Sequence, residues 1–261
     1  VGEDRHAETE RGQAFPTARS SVTWNAVSAF NLIPSQGIEI MSMIQSSVGR
    51  KIFMAVTGVM LLAFVGVHLL GNSTVFFGAD AINAYAQKLH SLGPIVWIFR
   101  LVMLFLFVVH IIFGIQLTLE NSAATPDKNV QVKRLRTGFA AQTMVVSGLV
   151  LLAFVVYHLL HFTVQVPGMG VYEFNEATQM TNVYTMVVMG FKQAFTVLLY
   201  VVGMIFLALH VSHGFQSFFQ TLGLNNDRSL PVFGAISKVV SVILLLGYVS
   251  IPVLIIFGLV K

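Results

Sequence analysis

Two apolar stretches of this sequence carry a histidine at the same position, and an imidazole there can bind a metal, pass a proton or bridge two helices. GVMLLAFVGVHLL at 58–70 and GLVLLAFVVYHLL at 148–160 are identical at nine of thirteen positions, and their shared histidines are His68 and His158. An apolar segment repeated together with its imidazole indicates a duplicated site rather than two unrelated histidines.

A second pattern repeats downstream of each stretch. HIIFGIQ begins at His110 and HVSHGFQ begins at His210, and both read H-x-x-x-G-x-Q. The glycines of this pattern, Gly114 and Gly214, follow the histidines by four residues, which places them on the same face of a helix. We expect them to leave room for a planar ligand, because a side chain at that position would collide with it.

The composition indicates an integral membrane protein of the all-α class. The 261 residues are 56% hydrophobic and 10% charged, whereas a soluble domain carries about 25% charged residues. The absence of cysteine excludes disulfides, thiolate-bound iron–sulfur clusters and haem attached through C-x-x-C-H. Five stretches are long and apolar enough to cross a bilayer, and we number them span one to span five: 52–71, 95–119, 139–164, 194–218 and 236–260.

The basic residues between the spans predict the orientation. Eight lie on the side that includes the N-terminus and four on the other. Because cytoplasmic segments carry the excess of Lys and Arg, we place the N-terminus and the loops at 120–138 and 219–235 in the cytoplasm. The eight are Arg50, Lys51, Lys128, Lys133, Arg134, Arg136, Arg228 and Lys238, and the four are Lys88, Arg100, Lys192 and Lys261.

In that orientation the four histidines fall at two depths. At 1.5 Å per residue, His68 in span one lies about 24 Å from the cytoplasmic side, and His158 in span three also lies towards the outside. His110, about 22 Å down span two from the outer face, and His210 in span four lie in the inner part. We therefore predict an outer pair, His68 with His158, and an inner pair, His110 with His210.

Each predicted pair has the composition of a bis-histidine haem site. A six-coordinate b-type haem needs one imidazole nitrogen on each face of its iron, supplied by two facing helices. The alternative is that the histidines only bridge helices by hydrogen bonds or line a proton path. The matched depths and repeated surroundings favour haem, and predict a bundle whose first four helices surround two stacked, non-covalent haems b.

The remaining histidines receive other assignments. His161 and His213 each follow a predicted ligand by three residues, but the first copy of the repeat has Gly71 and Phe113 in their places. We therefore expect them at haem edges, at propionates or at polar helix ends rather than on iron. His90 lies in a predicted outer loop, YAQKLHSLGP, where it is either solvated or a partner of a quinone or propionate.

Residues 1–42 form a separate segment in this interpretation. They begin with the polar sequence VGEDRHAETERGQAFPTARSS and lack the basic start and long apolar core of a signal peptide. We expect a loosely ordered extension, in which His6 has no role, followed by the transmembrane domain at 43–261.

The repeat and its flanks resemble a known family. SSVGRKIFMAVTG leading into VHLLGN, then VVHIIFG, YHLLHFT and HVSHGFQSFFQTLG, are similar to the di-haem cytochrome b membrane anchor of succinate dehydrogenases and quinol:fumarate reductases with a single five-helix anchor. The resemblance covers residues 43–260. It implies that the first four helices each give one haem ligand, at His68, His110, His158 and His210, paired as their depths predict.

The resemblance also implies partners. A flavoprotein with FAD and an iron–sulfur subunit would dock on the cytoplasmic face of a bacterial inner membrane, and succinate or fumarate would react there rather than in this chain. Electrons would pass between the partner's clusters, the two haems and a quinone, with menaquinone expected ahead of ubiquinone, and the complex is a candidate dimer. Some members carry a glutamate, linked to proton movement, two residues before the fourth ligand. The residue here is Ala208, which counts against that route.

Two regions are candidate quinone sites. Ser46, Ser47 and Arg50 lie at the predicted cytoplasmic start of span one, where Arg50 equally suits a positive-inside anchor. The predicted outer loop offers a second set: Asp80, Asn83, Tyr85 and His90.

Two other functions are consistent with five membrane helices. The di-haem anchor of a nitrate reductase, formate dehydrogenase or hydrogenase is a similar bundle, but it has a different histidine spacing. A transporter built from repeats is the non-redox alternative. It predicts interrupted helices and charged residues at the midplane, and the five apolar stretches have neither.

Overall fold

The computed structural model describes residues 42–124, 138–176 and 178–261. The predicted extension at 1–42 therefore lies outside the described residues, apart from its last residue. Four basic residues of the predicted cytoplasmic loop at 120–138 lie outside them as well: Lys128, Lys133, Arg134 and Arg136.

Five helices are long and apolar enough to cross a membrane, which confirms the predicted helical class and the five spans. They are apolar on every side, as helices that face lipid and one another must be. Span one ends in a 3₁₀ turn, Ser73–Phe77, and span three ends in a π-helical turn, Leu159–Val164. The five run over Ser47–Phe77, Pro94–Ala123, Met144–Val164, Ala194–Thr221 and Ser229–Ile256.

Several span ends differ from those predicted, and the starts of spans three and five are the two that bear on the interpretation. Span three was predicted from residue 139, but Phe139–Gln142 is a separate short helix that precedes it. Span five was predicted from residue 236, but the helix begins at Ser229, because Pro231 is compatible with a first helical turn. Lys238, counted above among the basic residues outside the spans, lies within this helix. Its side chain is exposed, so the aliphatic stem can cover apolar surface while the ammonium group reaches polar surroundings.

A helix rather than a loop connects spans one and two. It runs over Ala79–Ser91, is rich in alanine, and begins directly after Gly78, whose φ of 93° ends the preceding turn. His90 lies in its last turn and is exposed, so the prediction of a loop at this position is wrong. Asp80 lies in the first turn, where a carboxylate favours the helix N-terminus.

The connection between spans three and four contains a two-stranded hairpin, Phe174–Asn175 with Met180–Thr181, and a helix, Val183–Phe191. Two asparagines join this connection to the first one. Asn83 donates to the Asn182 side chain at 3.0 Å and accepts the Tyr184 backbone N–H at 3.1 Å. The side chain of Asn83, one of the predicted quinone contacts, is thus engaged in holding the two connecting segments together.

Span five, which has no histidine, packs against spans one and four. Tyr248 donates its hydroxyl to the Val65 carbonyl at 2.7 Å, and the Ser237 hydroxyl donates to backbone carbonyls of span four. Gly247 lets Leu69 come close, since a Cβ at Gly247 would lie 2.7 Å from the Leu69 side chain. Small residues of this kind allow tight packing between membrane helices. Span five therefore packs against two of the four spans that carry the paired histidines and supplies no histidine itself.

Candidate functional site

The four histidines of the membrane repeat lie in two pairs. The ring centroids of His68 and His158 are 5.9 Å apart, with the ring planes at 87° to each other. Those of His110 and His210 are 6.2 Å apart, with the planes at 68°. Each pair joins two different spans, and these are the pairs that the depths in the sequence predict.

The separation within each pair suits a metal held between two imidazoles. A metal–imidazole nitrogen bond is about 2 Å long, so one metal between two rings places the ring centroids about 6 Å apart. Among the described residues, no group of three or more His, Asp or Glu comes together as a site for a bare metal ion. Two axial ligands from the protein are what a haem iron requires, because the porphyrin supplies the other four.

The hydrogen bonds of His110 leave one ring nitrogen available. Its Nδ1 lies 3.1 Å from the Met54 carbonyl oxygen and 3.2 Å from the Thr57 hydroxyl. The Thr57 hydroxyl proton is already directed at backbone carbonyls of its own helix. Both neighbours of Nδ1 therefore act as acceptors, which assigns the ring proton to Nδ1 and leaves Nε2 with a free lone pair.

His210 is held in the same way by span three. Its Nδ1 lies 3.1 Å from the Ser147 hydroxyl, which donates its own proton to the Met144 carbonyl at 2.9 Å and therefore accepts from the ring. The ring proton again belongs on Nδ1. A backbone carbonyl that receives the outer N–H of a histidine is the usual support of a metal-binding imidazole. Nε2 of both inner imidazoles therefore keeps the lone pair that a metal would need.

Two glycines that the sequence analysis did not single out lie against these rings. A Cβ at Gly58 would lie 3.0 Å from Cε1 of His110, and a Cβ at Gly148 would lie 3.5 Å from Cε1 of His210. Both glycines open the repeated stretches quoted above. The sequence does contain a pattern that could have identified these two glycines. It is the repeat M-x-V-[T/S]-G, at 54–58 and 144–148, in which a methionine, a hydroxyl-bearing residue and a glycine follow in the same order in both copies.

The glycines that were singled out have different surroundings. A Cβ at Gly114 would meet no atom of the described residues within 4 Å, and one at Gly214 would meet only the end of the Met144 side chain, at 3.4 Å. Gly214 thus has a flexible neighbour and Gly114 none. Their predicted role beside a planar ligand stays a prediction.

The outer pair has a different set of contacts. His158 Nδ1 lies 3.2 Å from the Tyr200 hydroxyl, and His161 Nδ1 lies at the same distance from that hydroxyl. His68 stacks on Phe64, with the ring centroids 5.3 Å apart. His161 is fully buried in the last turn of span three. His213 lies half-buried in span four, one turn beyond His210.

The predicted quinone residues near span one have local structural roles. Ser46 caps the helix by accepting the Gly49 N–H at 2.9 Å, and Ser47 is the exposed first residue of the helix. Arg50 forms an ion pair with Glu120 at 2.7 Å, which ties the start of span one to the end of span two. A groove of about 560 Å³ runs beside this ion pair, and Gln116 of the H-x-x-x-G-x-Q pattern also lines it.

The structure brings Ser46, Ser47 and Arg50 to the start of span one, while His90 lies in the helix that follows the other end of that span. These residues therefore form two separate regions, as predicted.

Comparison of the chain with protein-family models, with curated proteins and with proteins of solved structure gave no match.

Proposed function

We propose that this chain is the cytochrome b membrane anchor of a succinate:quinone oxidoreductase. It would carry electrons between a flavoprotein and iron–sulfur pair on the cytoplasmic face and a membrane quinone. The observation that carries the proposal is the pair His110 and His210, each with Nδ1 bound from outside and Nε2 left for a metal. The second pair, His68 and His158, repeats the spacing near the other ends of spans one and three.

The chain's own residues would bind and orient the cofactors. His110 and His210 would hold the inner haem, and His68 with His158 the outer one. When bound, two haems b supply one-electron carriers at two depths of the membrane. The Met54 carbonyl at His110 and the Ser147 hydroxyl at His210 would keep the inner imidazoles in one tautomer and one orientation, which raises their basicity towards iron.

The orientation supports a partner on the side of the N-terminus. Arg50 and Lys51 lie at the start of span one, and Arg228 directly precedes span five. Basic residues at these ends favour a cytoplasmic location for them in a bacterial inner membrane. The groove beside Arg50 and Glu120 opens at the same end and is a candidate site for the quinone.

The test uses membranes that contain the whole complex. We expect succinate to reduce b-type haem in these membranes, and an FAD-containing polypeptide and an iron–sulfur polypeptide to copurify with this chain. Reduction by formate or hydrogen, but not by succinate, would contradict the proposal and favour the anchor of another respiratory complex. Absence of any haem absorbance would favour a transporter.

One prediction concerns the hydroxyl groups that hold the inner imidazoles. Thr57→Val preserves shape but removes one of the two acceptors at His110 Nδ1, and Ser147→Ala removes the acceptor at His210 Nδ1. Because the Met54 carbonyl remains at His110, we expect Thr57→Val to reduce the affinity for the inner haem by about tenfold at most, and Ser147→Ala by about tenfold to a hundredfold. Its reduction potential should become more positive, since the imidazole donates less to iron. A redox titration measures this, and an unchanged potential in both variants would contradict the assigned tautomer.

A further inference from the structure

The Tyr200 hydroxyl lies between two imidazoles. It is 3.2 Å from Nδ1 of His158, a predicted ligand of the outer haem, and 3.2 Å from Nδ1 of His161. Tyr200 is buried, and Phe154 and Phe191 pack on its ring at centroid distances of 5.2 Å and 4.8 Å. A tyrosine held this firmly keeps its hydroxyl at one place relative to both rings.

A phenol hydroxyl has one proton to donate, so the direction of the hydrogen bonds along this chain matters. If His158 donates from Nδ1, the Tyr200 oxygen accepts and its own proton goes to Nδ1 of His161. If the direction is reversed, His158 carries its proton on Nε2 and cannot bind a metal there. Only the first direction leaves the Nε2 lone pair of His158 free for iron.

We propose that Tyr200 is the positioning residue of the outer haem, accepting the Nδ1–H of His158 and donating to Nδ1 of His161. The inference rests on the proposed function, because it assigns His158 to iron. It gives the outer ligand the support that the Met54 carbonyl gives His110 at the inner site. At the outer site the Tyr200 hydroxyl thus takes the place of the backbone carbonyl. The direction in which this hydroxyl donates its proton depends on a second histidine, His161.

The proposed direction places the ring proton of His161 on Nε2. Its side chain has no exposed surface, and no described residue forms a hydrogen bond with its Nε2. A Cβ at Gly190 would lie 3.2 Å from that nitrogen, so the ring occupies the space that the glycine leaves. An unpartnered hydroxyl is unfavourable in an apolar interior, and Nδ1 of His161 accepts the Tyr200 proton there. We assign His158 rather than His161 to iron because the His158 ring faces His68, with the ring centroids 5.9 Å apart.

The experiment compares three variants of the intact complex by redox titration and by haem content. Tyr200→Phe keeps the ring and removes the hydroxyl. Tyr157→Phe is the matched control, since its ring lies 6.1 Å from that of Tyr200 but its hydroxyl makes no hydrogen bond to either histidine in the described structure. His161→Phe removes the acceptor of the Tyr200 proton and leaves the Tyr200 oxygen able to accept from His158.

We expect Tyr200→Phe to weaken haem binding at the outer site by about tenfold to a hundredfold and to make its potential more positive. The inner haem should not change, which serves as the control for folding. His161→Phe should keep both haems and shift the outer potential in the same direction by a smaller amount, and Tyr157→Phe should have no effect.

An unchanged outer haem in Tyr200→Phe would overturn the positioning role and leave the proposed function standing. Equal effects of Tyr200→Phe and Tyr157→Phe would also overturn it, because the tyrosines would then act through packing alone. A wild-type complex without haem would overturn the proposed function and the inference together.

Discussion

Alanine at His110 or at His210 should remove one and the same haem, and alanine at His68 or at His158 should remove the other. The ring centroids of each pair lie within 6.2 Å of each other, and the proposed function makes the two rings of a pair the axial ligands of one haem. A haem b has no covalent attachment to the protein, so removal of one axial ligand leaves only half of its coordination by the protein. We expect nearly complete loss of haem from that site. The measurement is the difference spectrum of each purified variant, with the two haems separated by redox titration.

The neighbouring histidines provide the controls for this prediction. Alanine at His161 or at His213 should leave both haems bound, because neither ring belongs to a facing pair. His161 bonds the Tyr200 hydroxyl instead. If variants of His68 and His110 lost the same haem, the pairing across spans would be wrong.

Valine at Gly58 should remove most of the inner haem and spare the outer one. A Cβ at this position would lie 3.0 Å from Cε1 of His110 and 3.4 Å from its Nδ1, and valine adds two further methyl groups. The ring cannot move freely, because the Met54 carbonyl and the Thr57 hydroxyl hold its Nδ1. Overpacking typically costs about 1–3 kcal/mol, which corresponds to roughly a fivefold to 150-fold loss of inner-haem affinity.

Two substitutions separate this effect from a general loss of stability. Gly66→Val lies in the same helix, where a Cβ would meet no described atom within 4 Å, and it should leave both haems unchanged. Gly148→Ala places a Cβ 3.5 Å from the His210 ring, an ordinary contact, and should be tolerated. Haem content of the inner and outer sites is measured separately in each variant. Parallel loss of both haems in Gly58→Val would show that this glycine serves only helix packing.

The two copies of the repeat are alike at the inner site and different at the outer site. Carbonyl, hydroxyl and glycine occur in the same order at 54–58 and 144–148, and both sets contact a histidine of the next span. Both outer histidines stack on the phenylalanine four residues earlier, Phe64 or Phe154, but His158 also bonds the Tyr200 hydroxyl. The position of span two that corresponds to Tyr200 is Arg100, which lies over the Trp97 ring. Only the second copy therefore carries a hydroxyl at this level.

The sequence predicted the features that depend on length, periodicity and repetition. Five apolar stretches became five helices, because a backbone in an apolar medium must bond within its own segment. The pairing of His68 with His158, and of His110 with His210, followed from counting residues along those helices. A straight α-helix has a fixed rise, so position in the sequence converts directly into depth.

The features that the sequence did not predict depend on contacts between helices. Tyr200 is one aromatic residue among many in span four, and only the packing of spans three and four places its hydroxyl between two imidazoles. Gly58 is part of the quoted repeat, but its close contact with the His110 ring depends on how span two packs against span one. Span five starts at Ser229, seven residues before the predicted start, because Pro231 is compatible with a first helical turn.

The ratio of haem to polypeptide in the detergent-purified chain tests the central claim most directly. A pyridine haemochrome assay gives the amount of haem b, and amino-acid analysis gives the amount of chain. With two histidine pairs and no cysteine in the sequence, we expect two haems b per polypeptide, both released by acid–acetone extraction. A ratio of one or zero, or haem that stays with the protein after extraction, would contradict the assignment of the four histidines.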